Sequence, residues 1–278
     1  PFLADSDFIN KAAAGKPESI NTCIGCNQAC LDHTFGGKRS TCLVNPRACY
    51  ETELNFSPAS IKKKVAVVGA GPAGLSAATV LAERGHEVDL FDKADEIGGQ
   101  FNIAKQIPGK EEFFETLRYF DYKIKETGVN LRLNESVDAT ALSSAGYDEV
   151  VLATGIIPRT LTIEGAEHEK VLSYIDVIKD KKEVGQRVAI IGAGGIGFDV
   201  AEYLSNKETP KSASVIEDFM DEWGVDMDYQ NRGAIKPPQP DASPREIILL
   251  QRSKGKLGAG LGKTTGWIHR SSLRHKKV

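Results

Sequence analysis

No cysteine occurs beyond position 49 of the 278 residues, and the chain has only five in all. A disulfide framework spread along the chain is therefore excluded, and the thiols must serve something local. An excess of charge is missing as well. Thirty-five Lys and Arg stand against 38 Asp and Glu, a net charge of -3, which leaves no global nucleic-acid footprint. Lys276 and Lys277 read as a solvated tail. Long apolar runs are absent too. Residues 65–82 carry no charge, yet Gly69, Gly71, Pro72, Gly74, Ser76 and Thr79 interrupt them, so no membrane-spanning helix is expected. The first residue is Pro1 rather than methionine, and an upstream region is expected. His33, His86, His168, His269 and His275 are scattered in the manner of surface or packing residues, and no catalytic residue is assigned. The length suits about two domains, and 41% apolar residues can fill their cores.

What the chain does have is a repeated glycine pattern. Val65-Ala66-Val67-Val68 is a short apolar run, read as a strand buried on both faces, and it leads into Gly69-Ala70-Gly71-Pro72-Ala73-Gly74. Gly69 would allow the tight turn, Gly71 the approach of backbone amides to a pyrophosphate, and Gly74 the packing of helix on sheet. Residues 73–83, rich in Ala and Leu, make a helix whose amino end and dipole would face the phosphates. A second strand near Val88–Phe91 ends at Asp92, 18 residues beyond Gly74. That is close to the separation of roughly 20 residues expected for a carboxylate that takes a ribose hydroxyl. Spacing alone admits FAD or NAD at this loop.

Gly192-Ala193-Gly194-Gly195-Ile196-Gly197 repeats the logic after the strand Val188–Ile191, with Gly192, Gly194 and Gly197 in the three glycine roles. Residues 208–244, with prolines at 210, 237, 238, 240 and 244, are read as a polar insertion. The strand resumes at Glu246–Leu250 and ends in Gln251-Arg252, followed by Lys254 and Lys256. A neutral residue and a guanidinium in place of a carboxylate favour a 2′-phosphate, hence NADPH over NADH, although these residues could also simply solvate a strand end.

The thiols follow C-x2-C-x3-C-x11-C: Cys23, Cys26, Cys30 and Cys42. Thiolates hold zinc or iron-sulfur clusters. Three close cysteines and one remote one favour a 4Fe-4S cluster over structural zinc, with two disulfides a third possibility. Cys49 is left over, as a free buried thiol or a substitute ligand.

Gly98-Gly99-Gln100, and Ala153-Thr154-Gly155 after the apolar run from Val150, resemble the FAD domain of flavoprotein reductases with two dinucleotide domains. That resemblance implies FAD at the first loop and places Val137 beside the adenine. Together with Cys23-Ile24-Gly25-Cys26-Asn27-Gln28-Ala29-Cys30, Cys42–Pro46, Gly98–Asn102 and Gly262-Lys263-Thr264-Thr265-Gly266-Trp267, the chain resembles throughout its length the bacterial NADPH-dependent 2,4-dienoyl-CoA reductases. These are iron-sulfur flavoproteins related to trimethylamine dehydrogenase and old yellow enzyme. The resemblance implies a hydride passing from NADPH to FAD, then single electrons through the cluster to FMN. FMN and a 2,4-dienoyl-CoA substrate would be bound in an N-terminal barrel that this chain lacks.

The expected architecture is α/β, with two Rossmann-like dinucleotide-binding units preceded by a loop-rich cysteine-cluster segment. Residues 1–60 form the cluster segment, 61–185 the FAD-binding domain and 186–278 an incomplete NADPH-binding domain. Phe113, Phe114, Leu117, Phe120 and Ile124 mark the core face of a helix by their three-to-four spacing. Unfinished sheets should leave apolar edges exposed and flavin weakly held. No cysteine pair after position 49 could serve as a flavin-facing dithiol, and thiols kept reduced indicate the cytoplasm.

Overall fold

The computed structural model describes residues 2–207 and 215–278. Pro210, part of the expected insertion, lies outside the described residues. The chain forms two compact units, residues 1–105 with 112–166 and residues 106–111 with 167–278.

The first unit opens with short elements, α1 (Phe8–Ala13), a 3-10 turn at Pro17–Ser19 and α2 (Leu31–Phe35). Few apolar side chains are buried here, Ala4, Ile24, Ala29 and Ala48 among them, so polar contacts carry much of the order. The buried carboxylate of Asp5 accepts from the Asp7 and Asn21 amides at 3.0 and 2.8 Å and from Lys11 Nζ at 2.6 Å. A buried carboxylate is tolerated where it is paired and hydrogen-bonded in this way.

The sheet follows: β1 (Lys64–Val68), α3 (Pro72–Glu83), β2 (Glu87–Phe91), α4 (Phe101–Ala104), α5 (Phe113–Thr127), β3 (Asn130–Arg132), α6 (Ala139–Ser144) and β4 (Glu149–Leu152). Its four strands are parallel in the order β3-β2-β1-β4. Val65, Ala66 and Val67 are buried on both faces of the sheet, as an apolar run between helical layers requires. Leu75, Ala78, Leu90, Ile124 and Val129 complete the core. Asp89, buried on β2, accepts from Tyr147 Oη at 2.6 Å and from Asn130 and Arg132, pinning β3 and the approach to β4. Burial opposes its ionisation, but these partners hold its carboxyl below the usual range. Burial and the Asp89 contact push the Tyr147 phenol up to about 12.

The helix expected over 113–124 is α5, with one correction. Phe113 stacks on Phe101 at 4.8 Å, and Phe120 and Ile124 enter the core, whereas Phe114 is exposed under the Lys105 ammonium. Positions 113, 117, 120 and 124 share a helical face; 114 lies a residue's turn away from it. β4 borders the sheet, and Leu152 on it is 73% exposed.

In the second unit, a π-helical turn (Ile175–Lys179) precedes β5 (Arg187–Ile191) and α7 (Gly195–Ser205); then come α8 (Ile216–Trp223), a 3-10 turn (Arg232–Ala234), β6 (Glu246–Leu250) and α9 (Gly266–His275). β5 and β6 pair in parallel. α7 packs on both, over the face that carries the buried Ile247, while Ile191, Ile248 and Leu250 are exposed on the other. The region read as a polar insertion contains α8, whose Ile216, Phe219, Met220 and Trp223 carry helical spacing that the neighbouring prolines masked. Trp223 meets Trp267 of α9 edge-on at 6.4 Å, and Val225 and Ile235 close a β-bridge.

His269 of α9 bonds the buried Glu202 of α7 through Nδ1 at 2.9 Å. The Glu202 contact raises the His269 pKa, against the opposing effect of burial. A raised folded pKa stabilises fully below the ordinary histidine range, and that contribution is lost as pH rises through the folded value. Glu202→Gln should therefore cost roughly 1 kcal/mol below neutral pH, the difference between charge-assisted and neutral hydrogen bonds, and should flatten the fall in stability on going alkaline. Chemical denaturation followed by Trp fluorescence across pH reads both effects.

Candidate functional site

The first glycine loop sits at the carboxyl ends of the strands, where ligands bind to sheets of this kind. Gly69 has φ +109°, and a Cβ there would lie 2.3 Å from the Ala153 carbonyl oxygen; one on Gly74 would lie 1.7 Å from the Gly69 oxygen. The chain thus turns from β1 into α3 with its backbone pressed against the start of the helix. Gly71, the N-cap of α3, faces open space, and Pro72 occupies the first helical turn, where no amide hydrogen is needed. Unpaired amides of that first turn are what an anionic pyrophosphate can meet.

The other expected residues gather around this loop. The Gly98 amide donates to the Ala70 carbonyl at 2.8 Å, and a Cβ on Gly99 would come within 3.2 Å of Gly71 Cα. Gln100 follows at the amino end of α4. Ala153 lies beneath Gly69, with the exposed Thr154 and Gly155 next in the chain. Asp92 accepts from the Ala70 amide at 2.7 Å and from the Ala94 amide at 2.8 Å. The Glu135 amide donates to the Asp92 carbonyl, which brings the half-buried Val137 to the same end of the sheet.

The second loop repeats the geometry. Gly197 approaches Gly192 as Gly74 approaches Gly69, a Cβ there lying 1.8 Å from the Gly192 oxygen, and Gly194 caps α7. The Gly69 amide donates to Phe91 O at 2.7 Å and the Gly192 amide to Leu250 O at 2.9 Å. Gln251 therefore holds the place that Asp92 holds in the first unit. Its Nε2 donates to the Ser253 and Gly255 carbonyls at 3.0 Å each, folding the segment that carries the exposed Arg252 and Lys254.

The thiols lie on two strips of chain. Gly25 and Asn27, both at positive φ, turn the first strip through Cys23 and Cys26 to Cys30, the N-cap of α2. The Thr41 amide donates to Ala29 O at 2.8 Å, bringing Cys42 alongside. All five cysteines are free thiols. Burial pushes the Cys26 and Cys42 thiols up, and the neighbouring thiols add to that rise. Thiolates are soft donors, and four of them on these two strips are the donor type that zinc or an iron-sulfur group takes. No set of three or more His, Cys, Asp or Glu stands ready-made for a metal ion among the described residues.

A cleft of about 420 Å³ lies elsewhere, lined by Lys62–Lys64 and Gly85–Glu87. It faces the amino ends of β1 and β2, opposite the glycine loops, so the close-packed glycines mark the site better than the cleft does. Arg118 and Asn21, whose side chains bond the Glu18, Ile20 and Val44 carbonyls of the cysteine strip, carried no signal in the sequence. No helix among the described residues is long and apolar enough to cross a membrane.

Comparison with known proteins accords with this geometry. The family model described as pyridine nucleotide-disulphide oxidoreductase matches residues 63–232, and the chain belongs to that family. Flavin and pyridine nucleotide binding come with it. A metal reductase from Desulforamulus reducens is 32% identical over 281 residues, covering 100% of this chain and 41% of the relative. An NADH oxidase from Thermoanaerobacter brockii is 36% identical over 239 residues, covering 83% and 36%. A solved 2-naphthoyl-CoA reductase in complex with 2-naphthoyl-CoA has a TM-score of 0.82 and 30% identity, covering 100% of this chain and 37% of that one. The homologues are flavin-dependent reductases and dehydrogenases of the trimethylamine dehydrogenase and old-yellow-enzyme group. The chain spans less than half the length of these three.

The Gly69–Gly74 contact leaves no room for a methyl group. Gly74→Ala should cost roughly 1–3 kcal/mol by overpacking and lower the flavin content per chain, which visible absorbance of the purified protein measures.

Proposed function

We propose that this flavoprotein is the electron-transfer portion of an NADPH-dependent reductase of conjugated acyl-CoA thioesters, 2,4-dienoyl-CoA in particular, working in the cytoplasm. The observation that carries the reading is the repeat of one phosphate-cradling turn at Gly69 and Gly192, together with a four-thiol segment packed in the first unit. When bound, NADPH supplies a hydride, FAD divides the electron pair and a 4Fe-4S cluster passes electrons one at a time, the last acceptor being FMN beside the substrate.

The chain's own residues bind and orient. The open amino end of α3 cradles the FAD pyrophosphate, with Asp92 positioned for the ribose, Gly99 and Gln100 beside the turn and Ala153 beneath it. Gly192, Gly194 and Gly197 do the same for NADPH. Gln251 shapes the loop, and Arg252 takes the 2′-phosphate, since a guanidinium can fork onto phosphate oxygens where a carboxylate would repel them. Cys23, Cys26, Cys30 and Cys42 would hold the cluster. No residue of these 278 is assigned to protonating the substrate. The alignment with a 2-naphthoyl-CoA reductase over the whole chain supports a CoA thioester as the electron acceptor's class.

A second reading, a module that delivers electrons to another acceptor, is favoured by the likeness to a metal reductase over the full chain. Turnover of 2,4-dienoyl-CoA against ferric citrate by the complete protein discriminates the two. Iron and acid-labile sulfide analysis tests the cluster; a colourless protein containing zinc would overturn both readings. For the nicotinamide site, Arg252→Ala should raise KM for NADPH roughly tenfold, about 1.4 kcal/mol for one lost charge-assisted contact, and leave KM for NADH unchanged. Equal losses for the two nucleotides would refute the assignment of Arg252.

A further inference from the structure

The helix that backs the first glycine loop also grips the cysteine strip. Arg118, on α5, donates from Nη1 to the Glu18 carbonyl at 2.5 Å, and from Nη2 to the Ile20 carbonyl at 2.8 Å and to Thr22 Oγ1 at 3.2 Å. Its Nε is held by Glu115 at 2.6 Å, so the planar fork is set before it meets the main chain. Those three acceptors are the residues that run directly into Cys23. Between them, Asn21 donates its side-chain amide to the Val44 carbonyl at 2.8 Å, joining the Cys23 strip to the Cys42 strip. On the neighbouring residue of the same helix, Leu117 lies so close to Gly98 that a Cβ there would fall 2.8 Å from Leu117 Cδ2, and Gly98 in turn bonds Ala70 of the nucleotide loop. One turn of α5 therefore touches both candidate redox stations of the first unit.

We propose that Arg118 is a positioning residue that fixes the Cys23–Cys30 strip against the helix behind the Gly69 loop, and so sets the path over which single electrons pass between the two groups bound there. The inference rests on the reading of those groups as FAD and a 4Fe-4S cluster. With both groups bound, the step Arg118 would govern is the loss of one electron from the hydride-reduced flavin to the cluster, the accompanying flavin proton going to solvent. A lysine cannot replace the residue, because a point charge on a flexible stem does not hold three acceptors in one plane.

The test uses the cofactor-loaded full chain and its Arg118→Met, Arg118→Lys and Thr22→Val variants. Iron, acid-labile sulfide and flavin are counted per chain; rapid anaerobic mixing with NADPH then follows flavin bleaching and cluster reduction separately, and EPR records the reduced cluster. In Arg118→Met the expected result is unchanged flavin bleaching with cluster reduction slowed severalfold, because electron tunnelling falls off steeply with distance. Arg118→Lys should be slow as well, and the EPR line shape of both should change. Cluster reduction at the wild-type rate in a fully loaded Arg118→Met protein overturns the proposal. Should that variant shed its iron, Thr22→Val decides, since it removes one acceptor and leaves the others: slowed cluster reduction at full iron supports the proposal, and the wild-type rate overturns it. A wild-type protein without iron and sulfide, or whose cluster NADPH does not reduce, refutes the underlying function instead, before any variant is compared.

Discussion

The Gly69 carbonyl oxygen occupies space that any side chain on residue 74 would need, and much of the first unit's architecture is arranged around that contact. It lets α3 begin directly against the carboxyl end of β1, so the first-turn amides of the helix open onto the surface instead of being closed off by a longer loop. Ala153, at the end of β4, presses on the same turn from below, and the Gly98–Gly99 turn lies against it from the side. Three separate stretches of sequence thus converge on one backbone corner. The second unit reaches the same solution with Gly192 and Gly197, but only β6 pairs with its strand among the described residues. The contrast is visible in burial: β1 is enclosed on both faces, whereas Ile191, Ile248 and Leu250 of the second sheet are exposed.

Elements with strong local chemistry were legible from the residues alone. β1, β2, β5 and β6 announce themselves as apolar runs closed by glycine or a polar residue, and the glycine spacing foretells both turns. Elements that depend on distant partners were not. Phe114 carries the right spacing by the loosest criterion, yet one residue's rotation on α5 puts it under Lys105 rather than in the core. α8 hides in a proline-bearing stretch because its apolar face is completed by α9, through Trp223 against Trp267. Arg118 and Asp5 look like ordinary charged residues in sequence. Their importance comes from main-chain acceptors and amides 16 to 100 positions away in the case of Asn21 and Glu18, contacts no local pattern encodes.

The cysteine strip shows why such contacts matter here. Its residues bury little apolar surface, so its shape cannot come from hydrophobic packing in the way the sheet's does. A paired, buried Asp5, the Asn21 amide and the Arg118 fork hold it instead, and hydrogen bonds to charged groups have the directionality that loose loops lack. Placement by directional bonds is the condition under which four thiols can be presented together at all.

Asp92 and Gln251 carry the comparison between the two units furthest. They follow strands that end in the same bond, Phe91 and Leu250 each accepting from the first glycine of the adjacent loop. A carboxylate has only acceptors, so Asp92 turns back and takes the Ala70 amide, bracing its own glycine loop. An amide nitrogen is a donor, so Gln251 turns forward and organises the Ser253–Gly255 carbonyls, leaving the charged side chains after it, Arg252 and Lys254, exposed. Exchanging an acceptor-only group for one that donates removes a negative charge from the strand end and leaves the cationic Arg252 and Lys254 exposed beside it. Two copies of one turn can thereby serve two different nucleotides.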